Sequence, residues 1–270
     1  MNAHTNTGTV LDRILESRRA EVEHRKKVLP ETVLKYGVKA ASPVRDFSAA
    51  LSRDGLNVLA ELKPASPSHG VLREPFDPPA LATALESAGA VALSVLTEAE
   101  FFRGSLKNLR DARKSVNLPV LRKDFIFDPW QVWETRANDA DSLLLMVAVL
   151  QDAQLRDLIA LGRELGMEPL VEVHTADELD RALAAGSRII GVNNRDLKTL
   201  DVRVETSFEL IARIPDNCIA ISESGLRSHD DLRKLREAGF DAFLIGEHLM
   251  LAPDPAAALV QLLGTAPRKE

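Results

Sequence analysis

The chain has 270 residues, 45% of them hydrophobic and 27% charged, a length that suits one α/β barrel or two ordinary domains. Against 34 Lys and Arg stand 40 Asp and Glu, a net charge of −6, and aromatic residues make up only 4%, so a general nucleic-acid binder is excluded. One cysteine, Cys218, rules out an internal disulfide framework, no apolar run nears the ~20 residues of a membrane span, and the start lacks a secretory core, a set that reads as cytoplasmic.

Residues 1–55 stand apart from the pattern of the remainder. LDRILESRRAEVEHRKK places Leu11, Ile14, Leu15 and Val22 along one helical face. After Pro30, ETVLKYG begins a second short helix and RDFSAALS a third. We read 1–55 as an N-terminal helical extension packed on residues 56–270, with 1–270 as a single domain.

From residue 57 onward, short aliphatic runs alternate with helical spacing. The runs cover 57–63, 91–95, 118–125, 141–148, 168–173, 188–193, 218–222 and 241–246. Segments such as QDAQLRDLIALGRELG and SHDDLRKLREAG lie between them. Gly89, Gly166, Gly186 and Gly239 each follow a helical stretch, and Ser228 with Asp231 opens one as a capping pair. The first turn, ELKPASPSHG, carries no G-x-G-x-x-G, so the expected fold is α/β, a (β/α)8 TIM barrel rather than an open nucleotide-binding sheet.

In such a barrel, functional groups stand at the C-terminal ends of the strands. Period-two geometry puts Glu61 and Lys63 on the face of Leu59, and Lys123 on the face of Leu121 and Phe125. The fifth strand carries Glu172, the sixth Asn193 followed by Arg195, and the seventh runs into Glu223 and Ser224. Taken singly, Glu61 and Lys63 read as a surface ion pair, and Lys123 between Arg122 and Asp124 as a solvated strand end. Taken jointly, ionisable or amide groups at five of eight otherwise apolar strand ends read as a site. A lysine there that is desolvated or crowded by cations loses proton affinity and serves as a general acid, with a Schiff base as the competing reading.

Ser224-Gly225 after the seventh strand and Gly246 after the eighth supply free backbone N–H groups before helices, which suits a phosphorylated small molecule. Ser66 in the first loop adds a donor nearby. His69, His174, His229 and His248 are scattered without metal-ligand spacing, so no metal site is expected. Trp130 and Trp133 read as packing, and Cys218 begins its strand at the stability face.

The segments ELKPASPSHG, SVLTEAEFFRGS, PVLRKDFIFDPWQ, LVEVHT, GVNNRDL, ISESG and LIGEHLM, in this order, resemble the indole-3-glycerol phosphate synthase family of tryptophan biosynthesis over residues 8–264. That resemblance implies a (β/α)8 barrel with an N-terminal helical segment, working without a cofactor or metal on 1-(2-carboxyphenylamino)-1-deoxyribulose 5-phosphate. By motif match, Lys123 is the general acid, and Lys63, Glu61 and Glu172 share the dehydration. Asn193 also falls in the catalytic set, with Arg195 and Glu223 beside the substrate. Phe102, Phe125, Leu144 and Leu197 form a slot for the anthranilate ring. Ser66, Ser224, Gly225, Gly246 and Glu247, the last through its backbone N–H, form the phosphate cradle. His69 and His248 depart from the commoner lysine and small residue at those places.

Two other readings compete. A phosphoribosylanthranilate isomerase would need a Cys and an Asp at strand ends, where this chain has Glu61 and Lys63. A non-catalytic aryl-phosphate-binding barrel would have lost Lys63, Lys123 or Glu172. The expected state is a cytoplasmic monomer with a small-molecule ligand, no nucleic acid or membrane partner, and contacts at most to other enzymes of the pathway.

Overall fold

The computed structural model describes residues 9–196 and 199–264. Three helices precede the barrel: α1 (Val10–Val28), α2 (Glu31–Ala40) and α3 (Phe47–Leu51). Thr9 and Asp12 form a capping box at the start of α1, and its last turn carries Arg25, Lys26 and Lys27, the charge order that a helix dipole favours. Ile14, Leu15 and Val22 are buried from α1 as expected, together with one residue not expected, Arg18. Leu15, Phe47 and Leu51 join the same apolar cluster as the barrel strands. A smaller cluster of Val22, Leu34 and Trp130 seats α1 and α2 on the barrel's third helix, and Trp130 Nε1 donates to the Leu29 carbonyl at 2.8 Å.

Eight parallel strands follow and close on themselves: β1 (Asn57–Leu62), β2 (Ala92–Leu96), β3 (Val120–Lys123), β4 (Ser142–Met146), β5 (Leu170–Val173), β6 (Ile189–Asn193), β7 (Ile219–Glu223) and β8 (Ala242–Ile245). Each overlaps one of the expected runs, so the TIM barrel reading holds. The helices between them are α4 (Pro78–Ser87), α5 (Leu106–Ser115), α6 (Pro129–Ala137), α7 (Asp152–Glu164), α8 (Ala176–Ala184), α9 (Glu205–Ile211) and α10 (His229–Ala238), with α11 (Glu247–Leu251) and α12 (Pro255–Leu263) after β8. Ser228 and Asp231 form the anticipated capping box on α10. The four helix-terminating glycines, Gly89, Gly166, Gly186 and Gly239, all have positive φ, which only glycine adopts without strain. One addition in the loop after β1 was not foreseen, a short antiparallel pairing of Ala65–Ser66 with Gly70–Val71.

The barrel interior is layered. Leu59, Leu121, Leu170 and Ile221, from β1, β3, β5 and β7, are fully buried. Two residues further along the same four strands stand Glu61, Lys123, Glu172 and Glu223, on the same inward face by the period of the strand. An apolar layer thus supports a charged one at the C-terminal mouth.

At the opposite, N-terminal face, polar groups act as staples. Asp141 accepts from the Val120 and Arg45 backbone N–H groups at 2.9 and 2.8 Å and from Arg113 Nη2 at 2.9 Å. Asn57 Nδ2 donates to the carbonyls of Leu51, Arg53 and Asp241, tying α3 to the barrel floor. Cys218 is half-buried just before β7, at this same face, and forms no disulfide.

Beside the mouth, the alternative of a solvated strand end around Lys123 fails. Arg122 and Asp124 point away from the barrel axis and are buried beneath α1 and α6. Arg122 Nη2 bonds Asp124 Oδ2 and Glu134 Oε2, both at 2.9 Å, and Arg18 Nη2 of α1 bonds the same Asp124 oxygen at 2.7 Å. Thr135 Oγ1 and the Gln131 carbonyl take Arg122 Nη1. Removing one member of such a network leaves buried charges uncompensated. Arg122→Ala is therefore expected to cost about 3–5 kcal/mol of stability. The check is a lower urea midpoint at unchanged m; a midpoint at the wild-type value would show that Asp124 and Glu134 do not depend on Arg122.

Candidate active site

At the C-terminal mouth the loops enclose a cavity whose lining includes Glu61, Lys63, Lys123, Glu172, Asn193 and Glu223. All of the expected acid–base residues therefore meet in one place. Lys123 Nζ donates to Glu223 Oε2 at 2.7 Å and to Glu172 Oε2 at 2.9 Å, across 100 and 49 residues of sequence. Lys63 Nζ pairs with Glu61 Oε2 at 2.9 Å, a contact within one strand end.

Two glycines make room for these carboxylates. A Cβ on Gly191 of β6 would lie 2.1 Å from Glu223 Oε1, and one on Gly246 would lie 2.3 Å from Glu61 Oε2. Neither glycine has a left-handed backbone, so each is there for close approach rather than for its own conformation.

The electrostatics reverse one expectation. Burial works to lower the proton affinity of Lys123, but the carboxylates of Glu172, Glu223 and Glu61 outweigh it and raise the lysine above its ordinary value. The sequence brings these carboxylates to the same mouth but does not show that Glu172 and Glu223 both bond Lys123 directly. Glu172 resists the upward pull of burial because Lys123 and His174 face it, and it is held below the usual carboxylate range. Glu223 goes the other way: burial, with Glu172 and Glu61 adding to it against the pull of Lys123, pushes it up to about 7. Glu172 and Glu223 share the single ammonium of Lys123, so their titrations belong to the cluster rather than to either residue.

The remaining expected residues form two walls and a pocket. Phe102 and Phe125 face each other with ring centroids 6.2 Å apart, tilted by 41°, and Leu144 adds to this apolar side. Buried Glu98 shapes the loop bearing Phe102 by accepting the backbone N–H groups of Glu100, Phe101 and Phe102. On the other side a smaller cavity is lined by Ser224, Gly225, Gly246, Glu247 and Arg195 and shares Glu61 and Lys63 with the larger one. Ser224 and Gly225 both have positive φ, at 67° and 82°, which for a serine is a strained state held by its surroundings. Ser224 Oγ donates to Asn193 Oδ1 at 2.8 Å, and the same oxygen accepts the Arg195 backbone N–H at 3.0 Å. Arg195 Nη2 reaches Glu247 Oε2 at 3.2 Å. Ser66 lines the larger cavity only. Leu197, expected in the apolar slot, lies outside the described residues.

Several contributors were missed. Val10, Leu11 and Ile14 of α1 also line the larger cavity, and Arg227 lines the smaller one beside His248, whose place there the sequence indicates. Buried Asn194 donates to the Ser224 carbonyl at 3.0 Å and accepts from Ser207, holding the strained turn. His174 stands behind Glu172 with Nε2 3.5 Å from Glu172 Oε1. Leu11 and Ile14 show in the sequence as part of an apolar helical face, and His174 as a residue two beyond Glu172 on the same strand face.

Fold and site together define a (β/α)8 barrel whose mouth holds a cluster of lysines and glutamates, beside apolar residues that include Phe102, Phe125 and Leu144 and a smaller cavity at Ser224, Gly225 and Gly246. A sequence model of the indole-3-glycerol phosphate synthase family matches residues 11–262. The chain is 48% identical over 265 residues to a protein of that name from Roseiflexus sp. (strain RS-1), covering 95% of this chain and 98% of that protein. It is 47% identical over 264 residues to one from Mycobacteroides abscessus, covering 97% of each. The chain belongs to the indole-3-glycerol phosphate synthase family, decarboxylating lyases of tryptophan biosynthesis. Solved structures with similar folds include 3-hexulose-6-phosphate synthase from Salmonella typhimurium, with TM-score 0.61, 12% identity and coverage of 77% of this chain and 97% of that one. Another is N-acetylmannosamine-6-phosphate 2-epimerase from Clostridium perfringens, with TM-score 0.60, 13% identity and coverage of 77% and 93%. At that identity the likeness concerns the barrel alone.

Gly191→Ala tests the close packing of the charged layer. Displacing Glu223 by even 1 Å is expected to lower kcat by about 10²-fold while the far-UV circular dichroism stays that of the parent. Unchanged turnover would mean that the position of Glu223 does not matter to the reaction.

Proposed function

We propose that the mouth converts 1-(2-carboxyphenylamino)-1-deoxyribulose 5-phosphate to indole-3-glycerol phosphate, carbon dioxide and water, with Lys123 as the principal acid. The observation that carries this reading is the Lys123 ammonium, held on the floor of the cavity between Glu172 and Glu223. The anthranilate ring lies against Phe102, Phe125 and Leu144, and the phosphate takes the backbone N–H groups of Ser224–Gly225 and Gly246–Glu247. The ribulosyl carbonyl then falls between these two ends, over Lys123.

The ring carbon that bears the carboxylate attacks the carbonyl carbon, and Lys123 gives its proton to the carbonyl oxygen as the new bond forms. The amine nitrogen becomes an iminium conjugated with that ring carbon. It accepts the electron pair when the carbon–carboxylate bond breaks, so decarboxylation restores the aromatic ring without an external electron sink. Dehydration follows: the hydroxyl leaves with a proton from an acid, and a base removes a proton from the neighbouring methylene. Lys63, Glu61 and Glu172 share these transfers, and Lys63 also meets the substrate carboxylate before it departs. Asn193 and Arg195 orient the hydroxyls, with Glu223 beside them.

The same reading takes 1–270 as one domain, supported by Leu15, Phe47 and Leu51 within the barrel's apolar cluster. It takes the protein to be a cytoplasmic monomer, in keeping with its acidic balance; among the described residues no helix is long and apolar enough to cross a membrane.

Lys123→Ala is expected to lower kcat by at least ~10²-fold with little change in substrate affinity, followed by the rise of indole fluorescence. Inorganic phosphate should compete with substrate, and dialysis against EDTA should leave the rate unchanged. Near-wild-type turnover in Lys123→Ala would remove the lysine from the mechanism, and loss with EDTA restored by a divalent ion would refute the metal-free reading.

A further inference from the structure

His174 follows β5 and shares the inward face of Glu172, two residues before it. Its side chain is only 11% exposed, and it does not line the cavity that Glu172 lines. Glu178, in the first turn of α8, fixes it from behind. Glu178 Oε2 accepts the His174 backbone N–H at 2.7 Å and lies 3.2 Å from His174 Nδ1, while the Glu178 backbone N–H is tied to Thr175 Oγ1. With Nδ1 turned to Glu178, Nε2 faces Glu172 Oε1 at 3.5 Å, and this buried nitrogen has no hydrogen-bond partner.

A buried ring nitrogen without a hydrogen bond is costly, and it is aimed at Glu172, one of the two carboxylates that hold Lys123. When Lys123 turns its proton toward the substrate oxygen, Glu172 loses the donor that neutralises it in a buried setting. We propose that His174 is a positioning residue for Glu172, whose Nε2–H takes over the Glu172 carboxylate as Lys123 leaves it. The inference rests on the roles assigned above to Lys123 and Glu172.

The charge balance around the ring agrees with this. Burial alone would weaken its hold on a proton, but Glu178 of α8, Glu172 of β5 and Glu223 of β7 outweigh burial and raise its proton affinity above the ordinary histidine value. Lys123 of β3 reaches the ring only through Glu172. A neutral ring with Nδ1–H on Glu178 would present a lone pair to the Glu172 carboxylate, a repulsive pairing. Protonation converts that repulsion into a charge-assisted hydrogen bond. Activity that depends on this bond is present at lower pH and is lost as pH rises through the raised histidine value.

The test compares His174→Ala with His174→Gln, whose side-chain amide keeps a donor near Nε2 at every pH. His174→Ala is expected to lower kcat roughly 10-fold or more with KM within about threefold, whereas His174→Gln recovers most of kcat and lacks the alkaline decline of the parent. In a Glu172→Gln background, adding His174→Ala should cause no further loss, since its effect runs through that carboxylate. Wild-type kcat in His174→Ala would overturn the inference. So would equal loss in both His174 variants with an additive effect in the Glu172→Gln background, the pattern of a structural residue. Glu172→Gln with wild-type turnover would instead overturn the role of Glu172 itself, and this inference along with it.

Discussion

A row of ionised side chains can sit inside a protein only where each is answered by another, and the charged floor of this barrel meets that condition through strands far apart in sequence. Glu61, Lys123, Glu172 and Glu223 rise from β1, β3, β5 and β7 directly above Leu59, Leu121, Leu170 and Ile221. The apolar layer sets the height and direction of the charged one, because shifting any strand by one residue would turn its charge to the outside. The four ends therefore do not vary independently. Loss of the lysine would leave Glu172 and Glu223 facing each other with no cation between them. Gly191 and Gly246, lacking side chains, keep the space that this crowding requires.

In the proposed mechanism, that cage lets a lysine of raised proton affinity serve as an acid. A desolvated lysine beside cations would be a stronger acid but would be neutral much of the time, with no proton to give. Lys123 has its proton affinity raised, and in the proposed reaction the group it faces is a carbonyl oxygen becoming an alkoxide, a far stronger base than an amine. Transfer to such an oxygen remains favourable, and the ammonium stabilises the developing charge before the proton moves. Glu223, pushed up to about 7 chiefly by burial, accepts from the lysine at 2.7 Å. The carboxylates thus trade some acid strength for certainty that the acid is loaded.

The barrel and its site were legible to different depths, and each gap has a physical cause. Strand ends were readable because an ionisable residue on a short apolar strand breaks a strict pattern, as with Glu61, Lys123 and Glu172. The pairing of those ends was not, since Lys123 finds its partners 49 and 100 residues away through barrel closure. Arg122 and Asp124 looked like ordinary flanking charges for the same reason: Arg18, which helps to bury them, lies 106 residues from Asp124. His174 reads in the sequence as one of several scattered histidines without metal-ligand spacing, since its link to Glu172 and Glu178 is made only when strand and helix pack. The loop pairing of Ala65–Ser66 with Gly70–Val71 is too short for any periodic signal. By contrast, helix ends read well, since capping at Ser228 and the turn at Gly239 are local events.

The burial of Arg122 and Asp124 also changes what the N-terminal helices are for. Lys123 is flanked in sequence by two residues whose side chains point outward into a network completed by Arg18 of α1. The strand end that presents Lys123 is consequently clamped by α1 through Arg18, while Val10, Leu11 and Ile14 of the same helix line the cavity itself. A helix that only covered apolar surface would need neither contact. Here the backbone at Lys123 is held between a charged network outside and the carboxylate cage inside, so the lysine can change its hydrogen-bond partner without its strand changing position. Precision at the mouth is thereby a property of the barrel and the extension together, and the stability of one is bound to the geometry of the other.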